Sequence, residues 1–138
     1  MQDFIDLIAK TATRLGRGSL RILIAEDYSD LARIMVMYLK HMGFDVQSVA
    51  TGPQVLPKVR RFLPHLVLLD IGLPGMSGYE VAAAIRADPT LARTAIIAIS
   101  AYDLETGTEP YLAARFNHYC TKPVNLDNLV PMMLSCWN

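Results

Sequence analysis

The chain is poor in the features that would place it in several large classes. It has two cysteines in 138 residues, Cys120 and Cys136. They form neither a disulfide framework nor a metal-ligand cluster, so they read as small core hydrophobes in a reducing compartment. Charge of either sign is not in excess: thirteen Lys and Arg balance thirteen Asp and Glu. No basic block stands out, so the electrostatic footprint of a nucleic-acid binder is missing. No apolar stretch reaches the length of a membrane span, and Asp3 and Asp6 stand where a secretory leader would carry positive charge. A cytoplasmic protein with no membrane and no direct nucleic-acid contact is therefore expected. What remains is 52% hydrophobic and 19% charged, enough for one domain with a sizeable core and too short for two.

Apolar runs alternate with amphipathic segments. "LRILIAED" reads as a buried strand. "SDLARIMVMYLKHMG" follows as a helix with Leu31, Ile34, Met35, Tyr38, Leu39 and Met42 on one face, Ser29 or Asp30 as its cap and Gly43 as its stop. "FDVQSVA" is a second strand, and "GPQVLPKVRRFL" a helix that Pro57 shortens or bends. "HLVLLD" is a third strand, followed by "SGYEVAAAIRA", with Ser77 and Glu80 in capping-box spacing. "TAIIAIS" and the short "HYCTK" complete five strands, and "VNLDNLVPMMLSCW", capped by Asn125, is the last helix. Five strands alternating with five helices predict a doubly wound parallel sheet covered on both faces. Residues 1–19 stand outside this scheme, as a tail or an extra helix with Phe4, Ile8 and Leu15 on one side and a hinge at Gly16 and Gly18. Residues 20–138 form the domain proper.

In such sheets ligands bind beyond the carboxyl ends of the strands. The predicted strands end in Glu26 and Asp27, in Asp70, in Ser100 and in Lys122. Each alone has an ordinary structural explanation as a cap or a surface charge. Together, three carboxylates in one crevice call for protonation or for a cation, and an all-oxygen set favours Mg²⁺ over Zn²⁺. A carboxylate beside the metal can attack phosphorus, and the metal, the Lys122 ammonium and the Ser100 hydroxyl suit the three phosphoryl oxygens.

The stretches "AED" at 25–27, "LLDIGLPGMSGYE" at 68–80, "ISA" at 99–101 and "YCTKP" at 119–123, in this order and spacing, resemble the receiver domain of two-component response regulators over residues 20 to about 136. The resemblance implies a flavodoxin-like fold with strand order 2-1-3-4-5, one of the common orders of doubly wound sheets. It implies Asp70 as phospho-acceptor, Asp27 as a direct Mg²⁺ ligand, Glu26 as a ligand through water and the Gly72 carbonyl as completing the site. It also implies Lys122 as partner of the phosphoryl group, a cis Lys122–Pro123 peptide, and Ser100 with Tyr119 as the switch pair. A histidine kinase or histidine phosphotransfer protein would donate the phosphoryl group and a protein target would read it. Such a chain is a signalling switch that catalyses only its own phosphorylation and dephosphorylation. The alternative origin is a receiver module of a longer hybrid histidine kinase, whose terminal receivers "DIGLPGMSGYE" resembles.

Two other classes fit less well. A phosphatase of the haloacid dehalogenase type needs a second Asp two residues after the first, where this chain has Gly72. A flavodoxin-like cofactor binder needs a phosphate-cradling loop after the first strand, where this chain has an acidic pair. The sequence departs from the usual receiver pattern at Tyr28 and in "AYDLETGTEPYLAARF". Gly107 and Pro110 there predict a late helix start, with Thr108 as cap and Glu109 and Pro110 as first residues, after a mobile loop from Ala101 to Gly107.

Overall fold

The computed structural model describes residues 1–104 and 107–137. The five strands are β1 (Arg21–Ala25), β2 (Asp45–Val49), β3 (Leu66–Asp70), β4 (Ala95–Ser100) and β5 (His118–Thr121). All pair in parallel, in the order β2-β1-β3-β4-β5. The helices are α1 (Gln2–Arg14), α2 (Ser29–His41), α3 (Gly52–Phe62), α4 (Gly78–Ala87), α5 (Glu109–Ala114) and α6 (Leu126–Ser135), with one 3₁₀ turn at Pro89–Leu91. The expected topology is present, with six helices among the described residues rather than the five of the repeating scheme.

The central strands are apolar without alternation because each face has its own core. Ile22, Ile24, Leu66, Leu68, Ile97 and Ile99 pack toward Met35 and Leu39 of α2 and Leu129, Val130 and Met133 of α6. Leu23, Ala25, Val67, Leu69 and Ile96 pack toward Val55 and Val59 of α3 and Val81, Ala82 and Ile85 of α4. Two-sided burial of this kind is what separates a doubly wound sheet from a half-exposed one.

Several local expectations shift. The cap of α2 is Tyr28, not Ser29 or Asp30, because the Glu26 carboxylate takes the Tyr28 amide at 3.1 Å and turns the chain one residue early. Ile34 is 54% exposed; the buried stripe runs through Ala32, Met35 and Leu39, and Ile34 falls beside it. Pro57 lies inside an unbroken α3, whose start carries a reciprocal Thr51–Gln54 capping box. At the N-terminus, α1 buries Ile8, Thr11 and Ala12 with Phe4 and Ile5 against the α2–α6 core. Leu15 is not on that face: it is the C-cap and is exposed. Thr11 can be buried because its hydroxyl donates to the Leu7 carbonyl at 2.8 Å.

Thr108 precedes α5, with Glu109 and Pro110 as its first residues, as the proline requires. The loop expected from Ala101 to Gly107 includes residues 105 and 106, which lie outside the described residues. No helix among the described residues is long and apolar enough to cross a membrane.

Candidate functional site

The β3–α4 connection fixes Asp70. The Ile71 amide continues the ladder to the Ile99 carbonyl at 2.9 Å, and the Gly78 amide returns to the Ile71 carbonyl at 2.9 Å. That return brings α4 so close that a Cβ on Gly78 would stand 2.6 Å from Ile71 Cα and 2.9 Å from the Asp70 carbonyl oxygen. Only glycine fits, and Ser77 caps α4 by accepting the Glu80 amide. Asp70 is 5% exposed, and its Oδ1 accepts the Gly72 amide at 2.8 Å.

Across the sheet, Glu26 is 2% exposed and follows β1 through its amide bond to the Val49 carbonyl. Asp27 beside it is exposed. Lys122 follows β5, joined to Pro123 by a cis peptide, and its amide donates to the Ser100 carbonyl at 2.8 Å. Its ammonium lies 2.9 Å from Asp70 Oδ2 and 2.9 Å from Glu26 Oε1. The carboxyl ends of three different strands therefore meet at one nitrogen. Ser100 ends β4, almost buried, with its hydroxyl accepting the Tyr102 amide at 3.1 Å. Tyr119 is 40% exposed on β5 and meets Tyr111 edge-on at 6.4 Å.

Burial raises the Glu26 pKa above the ordinary carboxylate value, and Lys122 and the Tyr28 amide only partly oppose it. For Lys122, partial burial disfavours the charged form, but the attraction of the Glu26 and Asp70 carboxylates outweighs it and raises its pKa. Carboxylate oxygens of Glu26, Asp27 and Asp70 lie within 4.8 Å of one another, three potential anions against one ammonium. Lys122 approaches Glu26 Oε1 off the direction of a hydrogen bond, so that buried oxygen has no aligned donor. An all-oxygen cluster with surplus negative charge and an unsatisfied buried oxygen fits a hard divalent cation such as Mg²⁺.

Comparison with known proteins agrees with this geometry. Residues 22–134 match the response regulator receiver domain. The chain belongs to the receiver family of two-component response regulators. It is 36% identical over 102 residues to the DNA-binding response regulator MtrA of Mycobacterium tuberculosis, covering 70% of this chain and 44% of that protein. It is 30% identical over 107 residues to response regulator PleD of Caulobacter vibrioides, covering 78% and 24%. The chain thus spans less than half the length of these relatives. Among solved structures it resembles the receiver domain of the sensor histidine kinase PA1611 of Pseudomonas aeruginosa, which has magnesium coordinated in its active-site cleft. That likeness has 31% identity, a TM-score of 0.75, and coverage of 86% of this chain and 97% of that one.

The structure brings together Glu26, Asp27, Asp70, Gly72 and Lys122, with Ser100 at the end of the adjoining strand. Tyr119 stands apart, outward-facing. Two roles were not readable from the sequence: that of Tyr28, whose amide orients Glu26, and that of Gly78, whose missing Cβ admits α4. Nor was the ring cluster in which Tyr111 and Tyr79 lie 5.7 and 5.9 Å from Phe116. The amide role of Tyr28 leaves no trace in residue type. The glycine opening α4 and the aromatics around Phe116 are visible signals.

Proposed function

We propose that this receiver accepts a phosphoryl group on Asp70 from the phosphohistidine of a histidine kinase or phosphotransfer protein. The observation that carries this is the Lys122 ammonium, 2.9 Å from both Asp70 and Glu26. Asp27, Asp70 and the Gly72 carbonyl would hold Mg²⁺ directly and Glu26 through water. Bound there, the ion would neutralise the crevice and the charge of the incoming group. One Asp70 carboxylate oxygen attacks phosphorus, the N–P bond to the donor histidine breaks, and its electron pair returns to the imidazole, which takes up a proton. The Gly72 amide holds the carboxylate's rotation during attack. Lys122, freed from the ionised Asp70, pairs with a phosphoryl oxygen. Ser100 turns its proton toward another, and Tyr119 then moves inward behind it, converting a local charge into a new surface shape.

The output is contact with a downstream protein rather than with nucleic acid or membrane, in the cytoplasm. The domain's chemistry is limited to its own phosphorylation and dephosphorylation. The likeness to the PA1611 receiver favours a second reading of origin, as the receiver of a longer hybrid histidine kinase. An open reading frame continuing in frame with a kinase core would establish it. The phospho-acceptor is tested by intact-mass analysis after acetyl phosphate and Mg²⁺. Wild type should gain one phosphoryl group and Asp70→Asn none; an equal gain in the variant overturns the assignment. Ser100→Ala should still be phosphorylated but lose the change in amide exchange near Tyr119.

A further inference from the structure

The opposite end of the sheet holds a second recess. It lies beneath the starts of β1, β3 and β4, with a volume of about 440 Å³; small-molecule sites fall in the range of about 300–1,000 Å³. Arg17, Arg21 and Arg93 line it together with His65, Thr94 and Trp137, and no carboxylate does so among the described residues. Arg21 is oriented by its Nε, which donates to the Phe62 and Leu63 carbonyls at 3.1 and 3.0 Å, leaving the terminal nitrogens free to reach a ligand. The guanidinium groups of Arg17 and Arg93 have neither a hydrogen-bond nor an ion-pair partner among the described residues.

His65 is the second, independent feature. Its Nδ1 accepts the Arg21 amide at 2.9 Å, so the neutral ring carries its proton on Nε2, and that buried nitrogen has no partner among the described residues. A buried donor left without a partner is costly, and an oxyanion in the recess that His65 lines would satisfy it. Thr94 lines the same recess, and its carbonyl accepts Arg86 at 2.6 Å, which pins the residue. The recess is also assembled from parts that the phosphorylation chemistry does not use. Arg17 follows α1, whose Arg14 ties down the Trp137 carbonyl at 2.7 Å.

We propose that this recess binds a phosphate-bearing small molecule, with Arg17, Arg21 and Arg93 gripping the oxyanion, the His65 Nε2–H donating to it and Trp137 forming the wall against its organic part. Guanidinium forks suit phosphate geometry, and an indole offers an apolar face for a ring. The fields of Arg21 and Arg17 are also felt at His65, whose protonation burial and these two charges oppose. Positive potential is therefore concentrated in the recess.

Trp137 is the single tryptophan, so its emission reports on this site directly. The full chain is titrated in EDTA, at ionic strength held constant with sodium chloride, using inorganic phosphate and then ADP as probes. Calorimetry is run in parallel. The expected result is a saturable response to both, tighter for ADP, and at least tenfold weaker in Arg17→Gln and in Arg93→Gln, each still phosphorylated on Asp70. Saturation by ADP alone narrows the ligand to organic phosphates and upholds the site. Asp70→Asn should titrate as wild type; loss of the response there would assign it to the acidic end and overturn the proposal. So would a response equal to that of matched chloride, unchanged titration in both arginine variants, or flat emission together with no heat.

Discussion

The two ends of the sheet carry opposite charge for partly different reasons. Helices that return antiparallel to the strands place their N-termini at the carboxyl end and their C-termini at the amino end. Helix dipoles alone therefore favour acids at the first and bases at the second. Asp30 and Glu80 in first turns, and Arg14, Arg60 and Arg86 in last turns, follow that rule. The rule does not account for burial. Glu26 and Asp70 are sealed to 2% and 5% exposure, where desolvation works against their charge. Nor does it account for Arg17, Arg21 and Arg93, which lie in no helix's last turn. At both ends, what departs from the dipole pattern is what points to a ligand.

The sharpest way to break this comparison is to remove the proposed phospho-acceptor. Asp70→Asn should abolish acyl-phosphate formation completely, read by intact mass, while leaving the Trp137 titration with phosphate unchanged. If both change together, the two ends are not separate sites.

Packing should differ between the ends next. Gly78→Ala would drive a methyl group into Ile71 and the Asp70 carbonyl, with about 2–3 kcal/mol of lost stability by urea denaturation. Gly18→Ala, at the hinge near the amino end, meets nothing within 4 Å and should change stability by no more than about 0.5 kcal/mol. Equal costs would mean that the close approach of α4 to β3 is not what the acidic end depends on.

Within the acidic end, Asp27→Ala should weaken Mg²⁺ binding at least tenfold, or about 1.4 kcal/mol. Glu26→Ala should weaken it less, because a direct carboxylate ligand constrains an octahedral ion more than one acting through water. Isothermal titration with Mg²⁺ gives the order; the reverse order would move Glu26 into the inner shell.

The acidic end was legible in the sequence because buried strands reveal their own ends. A polar residue closing an apolar run, as Asp70 closes "HLVLL" and Ser100 closes "AIIAI", marks the rim of a parallel sheet, and three such rims bring the residues together. The order of strands came only with the resemblance to receiver domains, whereas the late start of α5 was readable from the residues themselves: Pro110 is tolerated only in a first turn. Finer features were not. Ile34 belongs to the helical period of α2 yet falls outside the buried stripe, since periodicity fixes a face only to within about one residue position. Leu15 was grouped with Ile8 by spacing, but α1 ends at Arg14 and the stripe passes through Thr11 and Ala12. The amino-end recess was illegible for a stronger reason. Arg17, Arg21, His65, Arg93 and Trp137 come from separate segments, and a charged residue before a strand looks the same whether it lines a recess or meets open solvent.

The smallest expected effect tests that recess from the inside. His65 Nδ1 accepts the Arg21 amide at 2.9 Å, while its buried Nε2 has no partner among the described residues. Burial, then the charges of Arg21 and Arg17, lowers its pKa from 6.5 to about 4. A histidine with a depressed folded-state pKa stays neutral in the native protein while the unfolded chain takes up a proton. The unfolded state thus binds more protons as pH falls from about 6.5 toward about 4, and stability falls through that window. Between pH 7 and pH 5 the unscreened shift amounts to about 2 kcal/mol, and partial solvent access reduces it to about 1 kcal/mol. His65→Gln can still accept the Arg21 amide but cannot titrate. Its urea midpoint should therefore fall less between pH 7 and pH 5, by that same amount of about 1 kcal/mol. Saturating phosphate should shrink the wild-type loss too, because an anion beside Arg17 and Arg21 cancels the field that helps keep His65 neutral. Equal losses in wild type and variant would show that the arginine charges do not converge on His65, and the contrast between the two ends would then rest on the carboxylates alone.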